Sequence, residues 1–189
     1  MVMADAERFE PHTLEEWHAW LAANHDRGAG VWLVLRRGSG SVELGYEQLI
    51  REALCWGWVD GQARPLDGAR SMLWFTRRKP NSPWAASNKA RVAELAGEGR
   101  LQPPGIAEIE RAKAIGTWTM LDSVEALAEP PELAAALEAV PGARSNWDSF
   151  PPSVRKQALA SIALAKRDET RSRRIATIVA KSANGERPA

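Results

Sequence analysis

The sequence predicts an α+β fold: a small antiparallel sheet of about three strands in the N-terminal half, packed by helices, with an all-helical C-terminal half. Three observations carry that prediction. The β-branched and aromatic runs VWLVLRR, WVDGQAR and SMLWFTRR all fall before residue 80. Apolar residues at helical spacing, bracketed by caps, fill nearly everything after residue 82. Strands cluster early and helices late, which is the order of α+β folds and not of alternating βαβ units. Residues 1–100 form the α+β part and 101–189 the helical part of one continuous domain, long enough to bury a real core.

The elements follow in order. In PHTLEEWHAWLAAN, Thr13 with Glu16 reads as a capping box, and Leu14, Trp17 and Leu21 repeat at helical spacing, so a short helix ends near Asn24. VWLVLRR, bounded by Gly30 and Gly38, is a strand, and GSGS after it a loop. Tyr46 to Trp56 is a second helix, with Leu49, Ile50, Ala53 and Leu54 on its apolar stripe. Gly45 serves as its N-cap and Gly57 suits a left-handed position after it. WVDGQAR and SMLWFTRR then pair antiparallel across a turn containing Asp67-Gly68. Ser82 is read as the cap of the next helix, Pro83 as its first residue, and Gly97 or Gly99 as its end. Beyond it GIAEIERAKAIG, PELAAALEAV and PSVRKQALASIALAKR are helices. DETRSRRIATIVAKSA is the last, capped by Asp168, with Ile175, Ile178 and Val179 inward and a frayed NGERPA tail.

Composition narrows the function. Nine tryptophans against one tyrosine and three phenylalanines is an unusual aromatic set, suited to core anchors and binding surfaces. A single cysteine makes no internal disulfide, and the first residues have neither a basic nor an apolar signal region. The expected location is cytoplasmic, without membrane insertion, because the dense apolar runs are too short to span a bilayer. Net charge is only +1, yet the charges are segregated. Arg70 to Arg91 carries six bases and no acid, and Arg155 to Arg174 seven bases and two acids. Such segments make an anion-attracting surface if they meet and two solvated faces if they do not.

Several chemistries lack their signatures. His12, His18 and His25 show no metal-ligand spacing with one another or with Cys55, so no metal is expected. Cys55 follows a helix C-terminus, whose partial negative charge raises a thiol pKa, and it reads as a buried structural cysteine. The glycine-bearing GSGS and GAG match neither phosphate-loop pattern, and no cofactor is expected. What remains is WFTRRKPNSPWAASNKAR. There Arg77, Arg78 and Lys79 end a strand and feed into a helix start at Ser82, where free N–H groups favour an anion. Trp74 and Trp84 lie beside these cations as stacking platforms.

Four blocks, EALCWGWVDGQARPLD, FTRRKPNSPW, EGRLQPPGIAEIERAKAIGTW and AKRDETRSRRIATIV, resemble the bacterial YdeI/OmpD-associated (bacteriocin-protection, OmdA-like) family, over about Leu14 to Lys181. Departures from the family pattern are Trp56 for phenylalanine, Arg77 for proline, Ala85 for serine and Arg167-Asp168 for Thr-Pro. The resemblance implies a small bacterial α+β protein linked to envelope-stress or antimicrobial tolerance, and implies no catalytic mechanism.

The leading reading is a non-catalytic protein binding a small anionic ligand. Its pocket is expected where the strand pair meets the helix starting at Ser82. Trp58, Trp74 and Trp84 would line it, with Asp60, Arg64, Arg77, Arg78, Lys79, Ser82 and Asn88 as polar contacts. Strict strand alternation places Trp58, Asp60, Gln62 and Arg64 on one face. The alternatives are an enzyme with Asp60 as base beside Arg64 or Arg78, and nucleic-acid binding through Arg171, Arg173, Arg174 and Lys181. A pI near 7.9 is modest for the last, so nucleic acid is not the expected partner.

Overall fold

Among the described residues four strands, not three, make the sheet. The computed structural model describes residues 6–36 and 44–188; the expected GSGS loop lies outside them. The chain forms two units, Met1–Trp118 and Thr119–Ala189.

In the first unit, β1 (Arg8–Phe9) precedes α1 (Leu14–Asn24), β2 (Val31–Arg36), α2 (Tyr46–Cys55), β3 (Trp58–Pro65) and β4 (Arg70–Arg77). The sheet order is β1-β2-β4-β3, with β1 parallel to β2 and the other pairs antiparallel. A two-residue strand shows no alternation, which is why the sequence reading missed β1 and the mixed sheet it creates. Val31 lies opposite Phe75 and Leu33 opposite Leu73.

β3 does not alternate strictly. Asp60 lies opposite Phe75, whereas Ala63 lies opposite Leu73, so β3 carries one extra residue there. This bulge reverses the facing of everything after it. Trp58 and Asp60 share the face of Phe75, while Arg64, opposite Met72, is on the other face. The expectation that these side chains line one wall is therefore corrected.

One sheet face carries the main core, where Trp17, Leu21, Leu49, Ile50, Trp58 and Phe75 are buried with Trp84. The other face holds a smaller cluster of Ala6, Trp32, Val34 and Met72, with Trp74 packed against it. Thr13 accepts the Glu16 backbone N–H at 3.2 Å to cap α1, and Gly57 adopts the left-handed φ of +77° that ends α2.

α3 (Ala86–Gly97) begins later than the sequence suggests, with Ala85 at the cap position. Pro83 and Trp84 lie outside the helix, Ser82 N–H donates to the Lys79 carbonyl, and Trp84 N–H donates to the Thr117 carbonyl at 3.2 Å. α4 (Pro103–Ala114) places Gly105 against the end of α2. A Cβ on Gly105 would stand 2.2 Å from the Cys55 carbonyl oxygen, so only glycine permits that approach.

The second unit is helical: α5 (Asp122–Glu125), α6 (Pro131–Ala139), α7 (Ala143–Ser149), α8 (Pro152–Ala163) and α9 (Asp168–Ala183). Leu133, Leu137, Trp147, Leu159, Ile162 and Ile178 form its core. The span of α9 is the one predicted, although Arg167 rather than Asp168 occupies the cap position. Its end is not frayed through Pro188. Gly185 turns left-handed at φ +71°, Glu186 N–H donates to the Lys181 carbonyl at 2.9 Å, and Pro188 is buried. Among the described residues, no helix is long and apolar enough to cross a membrane.

Candidate functional site

The ten residues expected to form one pocket fall into five places. Trp58 is fully buried in the main core, with its indole N–H on the His25 carbonyl at 3.1 Å. Trp74 packs on the opposite sheet face against Trp32, and Arg64 also stands over the Trp32 ring. Asp60 accepts the Tyr46 hydroxyl at 2.8 Å, and Asn88 accepts from Arg91, which also holds Glu47. Burial, followed by the bond to Asp60, raises the Tyr46 pKa above its ordinary value. Lys79 is exposed and Ser82 half-buried in the turn before α3.

Arg78 and Trp84 do meet. The Arg78 guanidinium lies over the Trp84 ring, 3.8 Å from its centroid, and Nη2 donates to the Pro83 carbonyl at 2.8 Å. Arg78 is only 4% exposed. Burial pulls its pKa down to about 10, with Glu108 opposing that change and Arg111 adding to it. Glu108, buried on α4, accepts from Arg111 through Nε and Nη2, while Arg77 stands 3.6 Å away. These cations are engaged by the protein itself. The α3 N-terminus follows Ala85 rather than Ser82, and Arg78 is turned onto the Trp84 ring and the Pro83 carbonyl.

The stack continues into a cavity. Trp118 packs on Trp84 with ring centroids 4.9 Å apart. Lys89 of α3 and Lys113 of α4 stand 5.5 and 5.4 Å from the Trp118 ring, and Lys89 Nζ donates to the Trp118 carbonyl at 3.2 Å. From this end a groove of about 330 Å³ runs between the two helices. Val92, Ala93 and Ala96 form one wall, at the spacing that shares a helix face. Ile106, Ile109 and Glu110 form the other, with Leu101 among the lining residues. The groove therefore has an apolar length and a cationic end, the general form of a small-molecule site.

Lys113 and Trp118 were absent from the sequence-based site because the packing of α3 and α4 on α2, and the turn after α4, are what bring them to Lys89. The available signal was the Lys89, Val92, Ala93, Ala96 stripe, apolar but ending in a cation on an otherwise polar helix.

Two other polar clusters are structural in form. Buried Glu52 binds His18 at 2.7 Å and Arg100 at 2.9 Å, and accepts the Trp56 indole N–H at 3.3 Å. Beside it, burial and then the Glu52 charge push the Cys55 thiol up to about 11. A protonated, buried thiol is a poor nucleophile. In the second unit the basic segment is partly neutralised: Arg155 meets Glu129, Lys156 meets Glu125, Arg171 meets Glu132, and Arg174 donates to the Ser161 carbonyl. Among the described residues, no group of three or more His, Cys, Asp or Glu side chains is placed to hold a metal ion.

The fold and groove thus define an α+β unit with a polarised cavity, followed in the chain by a helical unit. Residues 9–108 match the family model for a domain of unknown function (DUF8412), more than half of the 189-residue chain, and the chain belongs to that family. Residues 126–185 match the model described as Bacteriocin-protection, YdeI or OmpD-Associated, so the C-terminal part carries that domain. AKRDETRSRRIATIV lies inside the second match, whereas EALCWGWVDGQARPLD and FTRRKPNSPW lie inside the first. No curated protein and no solved structure matches the chain.

Proposed function

We propose that the protein is a non-catalytic binding protein for a small anionic ligand, and that its site is the α3–α4 groove rather than the strand end. The single observation that carries this reading is the pair of lysines brought to one end of a cavity of about 330 Å³ whose other lining residues, Glu110 apart, are apolar. The surroundings of Asp60 do not favour catalysis, since Tyr46 holds its carboxylate and Arg64 lies across the sheet. The same proposal includes a cytoplasmic location and a role in envelope-stress or bacteriocin tolerance, of which the bacteriocin link is supported by the description of the family matched by residues 126–185.

The test is a thermal-shift screen of carboxylates, phosphates and nucleotides on the wild type and on Ala93→Trp. Ala93 is exposed on the groove wall, so the larger side chain fills the cavity without entering the core. A ligand at one hundred times its Kd stabilises by about 2.7 kcal/mol. The expected result is an anion-dependent rise in melting temperature that Ala93→Trp abolishes. A rise that survives Ala93→Trp but disappears in Lys79→Ala would return the site to the strand end. No rise with any anion contradicts the binding function.

A further inference from the structure

Resting on the groove reading, we infer that the ligand is a single-chain amphipathic monocarboxylate of about eight carbons. Its head group lies between Lys89 and Lys113 at Trp118, and its tail runs toward Ile106. Four observations lead there. First, the polarity of the groove is set by both helices. Lys89 lies toward the start of α3 and Lys113 toward the end of α4, yet both approach one indole, leaving the other end to Ala96, Leu101 and Ile106. A ligand that satisfies both ends has one charged and one apolar terminus.

Second, the length is defined. Ile106 to Lys113 is seven residues, about 10 Å along a helix axis, which suits an extended chain of about eight carbons. Third, Glu110 lies in the same wall, one turn before Lys113. Its carboxylate disfavours a second negative charge along the tail, which selects a monoanion over a dicarboxylate or a polyphosphate. Fourth, Val92, Ala93, Ala96, Leu101, Ile106 and Ile109 make the rest of the lining aliphatic, so each methylene buried against them contributes about fourfold in affinity until the groove is full.

Isothermal titration, below the micelle concentration of each probe, tests this with hexanoate, octanoate, decanoate, octanol and inorganic phosphate. Affinity is expected to rise about fourfold per methylene from hexanoate to octanoate and to level off at decanoate. Octanol should bind at least tenfold more weakly than octanoate. Lys113 is exposed, so Lys113→Glu should fold; circular dichroism checks that. This variant should lose octanoate while leaving octanol unchanged, and Ala93→Trp should lose both. Octanol binding as tightly as octanoate, undiminished octanoate binding by Lys113→Glu, or phosphate binding tighter than octanoate would each overturn the monocarboxylate class. Those results leave the groove in place so long as Ala93→Trp still blocks the bound probe. Binding of octanoate that Ala93→Trp does not weaken would overturn the groove itself.

Discussion

The two units use tryptophan and cations in different ways. In the second unit, Trp147 is fully buried and donates its indole N–H to Glu129 at 2.7 Å. Arg144 holds the same carboxylate with two bonds, of 2.7 and 2.9 Å, and Arg155 stands near both the ring and the carboxylate. Donors and acceptors close on one another around a core residue. The first unit contains a similar closed pairing in Arg78 on Trp84, but extends it through Trp118 to two lysines at the mouth of a cavity. A guanidinium on an indole is thus not by itself a binding feature. What separates the two cases is whether a cavity adjoins the stacked indoles.

The largest expected effect breaks the closed network. Trp147→Ala removes the second unit's only indole from its core and leaves Glu129 short of a donor. It should destabilise that unit by about 3–5 kcal/mol, read as a lower denaturation midpoint. Trp118→Ala should cost less, about 2 kcal/mol or below, because its ring is only half-buried. It should nevertheless abolish binding in the groove. Equal destabilisation by the two substitutions would erase the distinction between a core indole and a site indole.

A pH-dependent effect is specific to the first unit. The Cys55 thiol is pushed up to about 11 by burial, so the folded state disfavours its thiolate. The stability this contributes is fully present below the unfolded thiol pKa of about 8.5. It is lost as pH rises from there toward about 11. A displacement of that size is worth about 3 kcal/mol at most. Cys55→Ala should lack this decline, so the stability of the wild type relative to the variant should fall as pH rises from 8 to 11. A difference that stays constant over that range would contradict the assignment.

Much of the fold was legible in the sequence where local chemistry decides it. The span of α9 follows from its apolar spacing, and the left-handed Gly57 from its place at a helix end. One cause of error is the override of local preference by distant contacts. Pro83 is a good first helical residue, but Trp84 gives its N–H to Thr117 and its ring to Arg78 and Trp118, which delays α3 to Ala86. The β3 bulge leaves no mark in WVDGQAR beyond Gly61, and it moved Arg64 off the expected wall. The pairing of Arg78 with Trp84 was readable from their proximity in sequence. Its burial was not, and neither was the meeting of Lys113 with Lys89, because both depend on how α4 packs.

The most direct measurement is an amide chemical-shift map of the ¹⁵N-labelled protein during an octanoate titration. Saturable shifts should concentrate at Lys89–Ala96 and Ile106–Trp118, with Arg77–Lys79 and the second unit little changed. Shifts centred on Arg77–Lys79 or on α9, with the groove silent, would contradict the account.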